Sequence, residues 1–239
     1  MYRRVLPLLL TAVLLLSGCT AGQKNMPQKT DEKEMTGQPS DMSGEGSMYM
    51  DTTENVIYLA GGCFWGMERL YRTLPGVSEV TVGYANGVSA EKANYEAVCS
   101  GVTGFRETVR VAYDPEQISL EHLLFAFFGV IDPETPNRQG PDFGSQYQAG
   151  VYWADGADEG AILQIAALEA SAAPRFAVEL KPLENFYPAE EYHQRYLEKH
   201  PGGYCHISPL RIRALERFPF RELAYDKPAK ELLEPYLNT

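Results

Sequence analysis

Hydrophobic and polar positions change their spacing several times along the chain. An almost unbroken apolar run covers residues 5–16, directly after Arg3 and Arg4. Residues 20–53 carry hardly any branched aliphatic side chains and are rich in Gly, Ser, Pro, Gln and mixed charge. From residue 55 the apolar positions return with secondary-structure periods. NVIYLA at 55–60 is a β-branched run stopped by Gly61-Gly62, which predicts a strand. Residues 63–74 shift to a helical period through Phe64, Met67, Leu70 and Tyr71, and Pro75-Gly76 ends it. Strands are predicted over 77–84, closed by Asn86-Gly87, and over 107–113, closed by Asp114-Pro115. Ser119 stands where it would cap a helix running through Phe128. A strand over 150–153, an Ala- and Leu-rich helix over 155–172, a strand over 176–180 and a helix over 188–199 follow. After Pro201 the periodicity is weak, with a helix only loosely indicated beyond Leu223. Strands and helices interleave without a regular βαβ repeat, which predicts one compact α+β domain over 54–239.

The apolar run at the start is shorter than the ~20 residues needed to cross a bilayer as a helix. Residues 1–18 therefore read as an export signal. It runs into Leu16-Ser17-Gly18-Cys19, which resembles the bacterial lipobox. That resemblance implies cleavage before Cys19 and diacylglycerol on its thiol. The expected location is exported, held to a bacterial membrane on its periplasmic or extracellular face by acyl chains. An ordinary secretory signal that carries a Cys is the alternative. Residues 19–53 are too polar to offset the entropy of ordering and read as a disordered tether. That tether holds Met26, Met35, Met42, Met48 and Met50, most of the chain's 7 methionines.

Composition removes other classes. A net charge of −11 argues against nucleic acid, whose phosphates call for clustered Lys and Arg. With 44% apolar and 11% aromatic residues the chain can build a core without disulfide staples, and 4 cysteines are too few for a stapled miniprotein. No P-loop, dinucleotide fingerprint or GxSxG is present. His193, His200 and Cys205-His206 lack paired ligand spacing, so no metal site is expected.

Cys63 lies where thiols become reactive. It stands between Gly61-Gly62 and Phe64-Trp65-Gly66, at a strand-to-helix junction. Unpaired backbone N–H groups and the helix dipole stabilise an anion there, and the glycines permit a tight turn and close approach by a substrate. A buried structural Cys between core aromatics is the competing interpretation.

The block GCFWG at 62–66 resembles the signature of the A-type peptide methionine sulfoxide reductases. The likeness continues through Gly83-Tyr84, 94–101 (NYEAVCSG), Thr103-Gly104, Glu107-Thr108-Val109, Tyr113-Asp114-Pro115, 138–147 (RQGPDFGSQY), 192–197 (YHQRYL) and 201–205 (PGGYC). These blocks span about residues 55–208 in order. The resemblance implies a ferredoxin-like two-layer α+β core with a long irregular C-terminal segment. It also implies the chemistry: thiol-dependent reduction of methionine S-sulfoxide, free or in proteins.

On that resemblance Cys63 attacks the sulfoxide sulfur and Glu107 supplies a proton to its oxygen. A carboxyl in a partly apolar site holds such a proton at neutral pH. Tyr95 and Tyr147 hold the oxygen, Phe64 and Trp65 enclose the S-methyl group, and Asp142 lies at the pocket edge. Cys205 is implied as the resolving thiol that converts a Cys63 sulfenic acid into a disulfide; a static structural disulfide is the alternative. No bound cofactor is expected, the electrons coming from an external thioredoxin-like reductant. Oxidised proteins or peptides are the expected partners, and the protein is expected to be a monomer. Cys99 is expected to be buried and structural. The chain departs from many relatives at Asn86-Gly87, at 92–94, and at Phe105 and Phe143, and no Cys follows Cys205 to serve as a third relay thiol. An inactive binding protein on the same fold and a thiol peroxidase are the competing functions. The tether methionines would themselves meet oxidants outside the cytoplasm; permissive linker composition is the simpler account of them.

Overall fold

The computed structural model describes residues 55–154 and 156–237. The export signal, Cys19 and the tether lie outside the described residues. The elements are β1 (Asn55–Ala60), α1 (Phe64–Tyr71), β2 (Val77–Ala85), α2 (Tyr95–Cys99), β3 (Arg106–Tyr113), α3 (Leu120–Val130), β4 (Arg138–Gln139), β5 (Asp142–Phe143), β6 (Gly150–Trp153), α4 (Glu159–Ser171), β7 (Glu179–Pro182), β8 (Phe186–Pro188), α5 (Tyr196–Lys199), α6 (Pro209–Arg217) and α7 (Ala229–Leu233). Among the described residues no helix is long and apolar enough to cross a membrane.

Six strands form one sheet in the order β7-β6-β1-β3-β2-β8. All its pairings are antiparallel except that of β6 with β7. The inner order β6-β1-β3-β2, with α1 linking β1 to β2 and α3 lying between β3 and β6, is the ferredoxin-like split βαβ arrangement. The period of two along β1 divides the layers. Ile57 and Leu59 face the main core beneath the helices, whereas Tyr58 and Ala60 join Ala85, Tyr152 and Phe186 in a smaller cluster on the other face. Ser119 caps α3 as its position predicts: its hydroxyl accepts from His122 N, and its own N–H donates to His122 Nδ1.

Three expectations change. The strand expected over 176–180 forms at Glu179–Pro182. Its first residues are drawn off by Pro133 O, which accepts from Ala177 N, and by Gln148 Nε2, which donates to Ala177 O. The helix expected over 155–172 starts at Glu159, after a 3₁₀ turn. Most of the helix expected over 188–199 is absent. Phe186–Pro188 is an edge strand on β2, and only Tyr196–Lys199 is helical. The side chains between them serve distant backbone: Gln194 accepts from Val82 N and donates to Val82 O, and Glu190 accepts from Tyr95 N. Those bonds replace the local ladder a helix would make, and Arg195 turns through φ +52° before α5 begins.

The C-terminal segment is held onto α3 and α4. Ser208 caps α6 with Pro209 in its first turn, and Arg211 Nη1 donates to Gly129 O at 2.6 Å. Glu169 on α4 is buried and accepts from Tyr225 Oη at 2.8 Å and from Ala229 N at 2.7 Å, which ties α7 down by its N-terminus. The weak periodicity after Pro201 follows from this arrangement, because short helices joined by turns bury only a few residues each.

Candidate active site

Cys63 is the N-cap residue of α1 and is 5% exposed. The turn before it uses Gly62 at φ +88°, a conformation that favours glycine. A Cβ there would also stand 2.6 Å from Gln139 Cβ. The next backbone N–H, that of Phe64, donates to Glu107 Oε2 at 3.0 Å. Glu107 is 2% exposed on β3, opposite Tyr84 of β2. One of the open N–H groups of the first helical turn thus holds a buried carboxyl at the residue adjoining the thiol.

Aromatic rings wall this point. Phe64 packs on Tyr84 and His193 with centroids 5.9 and 5.1 Å away. Trp65 stacks on Tyr196 at 3.8 Å, and its indole N–H donates to His193 Nδ1 at 3.0 Å. Burial pushes His193 down to about 4, against the pull of Glu190. The imidazole is therefore neutral at pH 7, as accepting from Trp65 requires. Glu190 accepts from Tyr84 Oη at 2.8 Å and from Tyr95 N at 2.9 Å. Burial opposes its charge, yet these bonds hold its carboxyl below the usual range.

Tyr95 opens α2, whose N-cap Asn94 accepts from Ala97 N. Burial, then the charges of Cys99, Glu107 and Cys63, raise its hydroxyl well above the ordinary phenol range. Tyr147, in the 3₁₀ turn Ser145–Tyr147, is raised by burial and by Glu107, Cys63 and Asp142. Both hydroxyls stay protonated and able to donate. Asp142 on β5 accepts from Tyr204 Oη at 2.8 Å, which pins the segment preceding Cys205.

Cys205 is half-buried above the first turn of α1. A Cβ on Gly66 would lie 3.2 Å from Cys205 Sγ, and Gly66 N donates to Cys63 O in the same turn. Cys63, Cys99 and Cys205 are thiols rather than disulfide partners. Burial pushes the Cys205 thiol up, while a hydrogen bond from the Ile207 backbone and the nearby Arg69 pull it down; the thiol itself donates to Ile207 O at 3.4 Å.

Cys99 corrects its expectation: it is exposed. Short α2 buries only Val98, and the following residue points about 100° further round the helix, toward solvent. Its thiol shares a hydrogen bond with the Tyr95 side chain. Among the described residues no group of three or more His, Cys, Asp or Glu is placed to hold a metal.

The structure therefore gathers Cys63, Glu107, Phe64, Trp65, Tyr95, Asp142, Tyr147 and Cys205 around the N-terminus of α1. It adds Tyr84, Glu190, His193, Tyr196, Tyr204 and His206, to which sequence reasoning attaches no role. All but Glu190 lie inside one of the quoted blocks or, for His206, directly after one, but no spacing rule points them at Cys63.

A ferredoxin-like core that carries one thiol at a helix N-terminus and another over the same helical turn defines a thiol-dependent oxidoreductase. The sequence model of the peptide methionine sulfoxide reductase family matches residues 55–219, and the chain belongs to that family. It is 48% identical over 153 residues to the peptide methionine sulfoxide reductase MsrA of Alkaliphilus metalliredigens, spanning 64% of this chain and 96% of that protein. The MsrA of Mycoplasma genitalium is 47% identical over 152 residues, 63% of this chain and 96% of that one. Among solved structures, reduced Mxr1 from Saccharomyces cerevisiae superposes with a TM-score of 0.63 at 39% identity, covering 67% of this chain and 94% of that chain. Methionine sulfoxide reductase A of Corynebacterium diphtheriae gives 0.59 at 34% identity, covering 68% and 79%. The chain is thus of the A type, and its activity is the reduction of methionine sulfoxide.

Proposed function

We propose that the chain reduces methionine S-sulfoxide, free or in exported proteins, through a Cys63 sulfenic acid and a Cys63–Cys205 disulfide. That A- and B-type reductases each reverse one epimer is general chemistry of the lesion. The observation that carries the proposal is the hydrogen bond from Phe64 N to Glu107 Oε2, which sets a buried proton carrier beside the attacking thiol. The Cys63 sulfur attacks the sulfoxide sulfur while Glu107 protonates the oxygen. Tyr95 and Tyr147 donate to that oxygen as its charge develops, and Phe64 and Trp65 receive the methyl group. Asp142 meets the substrate at the pocket edge. Methionine leaves, and the oxygen stays on Cys63 as a sulfenic acid. Cys205 then displaces it as water, and an external thioredoxin-like dithiol reduces the disulfide, so no bound cofactor takes part.

The test is turnover of peptides carrying either sulfoxide epimer, with dithiothreitol as reductant. Consumption of the S epimer alone is expected. Failure to consume it by a folded chain, or faster reduction of hydrogen peroxide, would overturn the reading. In Cys205→Ser the first equivalent of methionine is expected at the wild-type rate, followed by loss of more than about 10²-fold in turnover with a thioredoxin-like reductant. Quench-flow counting of methionine per enzyme checks this.

The proposed location is exported and lipid-anchored, with a tether over 19–53 and the catalytic domain acting as a monomer. The lipobox-like LSGC at 16–19 supports it. Cells fed a labelled fatty acid are expected to label the wild type and not Cys19→Ala; equal labelling would refute the anchor.

A further inference from the structure

We propose that His206 is the general base of the resolving step, taking the proton of Cys205 as its sulfur attacks oxidised Cys63. The inference deepens the proposed function and rests on it for the sulfenic acid consumed.

Tautomer and direction come from the geometry. His206 Nε2 lies 2.8 Å from Gly61 O. A carbonyl oxygen only accepts, so the neutral ring carries its proton on Nε2 and its lone pair on Nδ1. That basic nitrogen faces Gly66: a Cβ there would stand 2.9 Å from His206 Nδ1 and 3.2 Å from Cys205 Sγ. Nitrogen and sulfur thus both border the point that a Gly66 side chain would fill, within contact distance of it. The ring also covers Gly62, whose Cβ would meet Nε2 at 3.0 Å. Gly62 and Gly66 bracket Cys63, so the imidazole lies against the turn that carries Cys63.

The chemistry at Cys205 calls for a base. Burial holds its proton on, Arg69 of α1 favours the thiolate, and Asp142 of β5 opposes it. Tyr204, beside it, stays protonated. A half-buried thiol of this kind is a weak nucleophile until a base takes its proton. The other imidazole at the site, the buried His193, cannot serve, because its Nδ1 is engaged by Trp65.

In the step itself a Cys205 sulfur lone pair forms the S–S bond, and the S–O bond of the Cys63 sulfenic acid breaks with its electron pair going to oxygen. His206 Nδ1 takes the Cys205 proton and passes it to the departing oxygen, which leaves as water. The sulfenic sulfur of Cys63 is reduced as the thiol sulfur of Cys205 is oxidised, so the pair ends as one disulfide and one water without a further oxidant, and His206 returns neutral.

His206→Gln separates this role from packing, since a glutamine amide can still donate to Gly61 O but offers no basic nitrogen. The full chain is mixed with a sulfoxide peptide without reductant, and methionine release and loss of thiols are followed separately. Methionine release is expected within twofold of wild type. Disulfide formation is expected to fall about 10²-fold at pH 7 and to recover toward wild type as alkaline pH ionises Cys205 directly. Disulfide formation at the wild-type rate, or a deficit of equal size at every pH, would overturn the proposal. If His206→Gln does not fold, His206→Ala is measured with and without added imidazole; acceleration of the disulfide step by imidazole supports the base, and none refutes it. A wild type that releases no methionine would instead refute the parent reading.

Discussion

A Cys63→Ser chain is expected to release methionine from a sulfoxide peptide at least about 10⁴-fold more slowly than wild type. The substitution removes one atom's chemistry and little else. Serine is among the favoured N-cap residues, so α1 should keep its start and the chain its melting temperature. What disappears is a soft nucleophile whose anion the helix N-terminus can stabilise near neutral pH; a hydroxyl stays protonated at the same place. Cys205 does not substitute for it, because burial favours its protonated thiol. Methionine release measured by chromatography is the readout, with circular dichroism as the control. Residual activity above about one part in a hundred, from a folded variant, would remove Cys63 from the attacking role.

Glu107→Gln is expected to cost about 10²- to 10⁴-fold in the same assay. The amide oxygen can still accept from Phe64 N, so the start of α1 and its packing against β3 should survive. The amide cannot give up a proton on the reaction's timescale, and the sulfoxide oxygen must then leave without its acid. Tyr95 and Tyr147 remain as hydrogen-bond donors, which is why some activity should persist. The loss should appear in the first turnover rather than in disulfide formation, since Glu107 acts before Cys205 does. A first-turnover rate within tenfold of wild type would assign the proton to water or to a tyrosine instead.

These two residues also show how differently parts of the site could be read in advance. Cys63 is legible locally: two glycines, an apolar strand before it and a helical period after it place a thiol at a helix start. Glu107 is not. On pattern alone it sits at the beginning of an alternating strand and would be solvated; only the likeness to a family singles it out. The fold buries it because β3 is an inner strand between β1 and β2, so even the end of that strand is covered by α1. Cys99 fails in the opposite sense, as a cysteine in an apolar-looking block that the five-residue α2 turns outward.

Local physics accounts for the elements that came out as expected. The alternation in β1 and β3, the cap at Ser119 and the stop at Pro75-Gly76 each depend on neighbours within a few residues. The sequence by itself therefore determined the α+β class, the order of the main elements, the reactive setting of Cys63 and, through its blocks, the family. Tertiary structure alone decided the segment from Pro188 to His206. There Gln194 and Glu190 exchange local helical bonds for backbone groups of β2 and α2, His193 is dried until it is neutral, and Cys205-His206 is set above Gly66. A side chain that bonds across more than a hundred residues leaves no period in the sequence, because the partner that fixes it is near only after the sheet has formed.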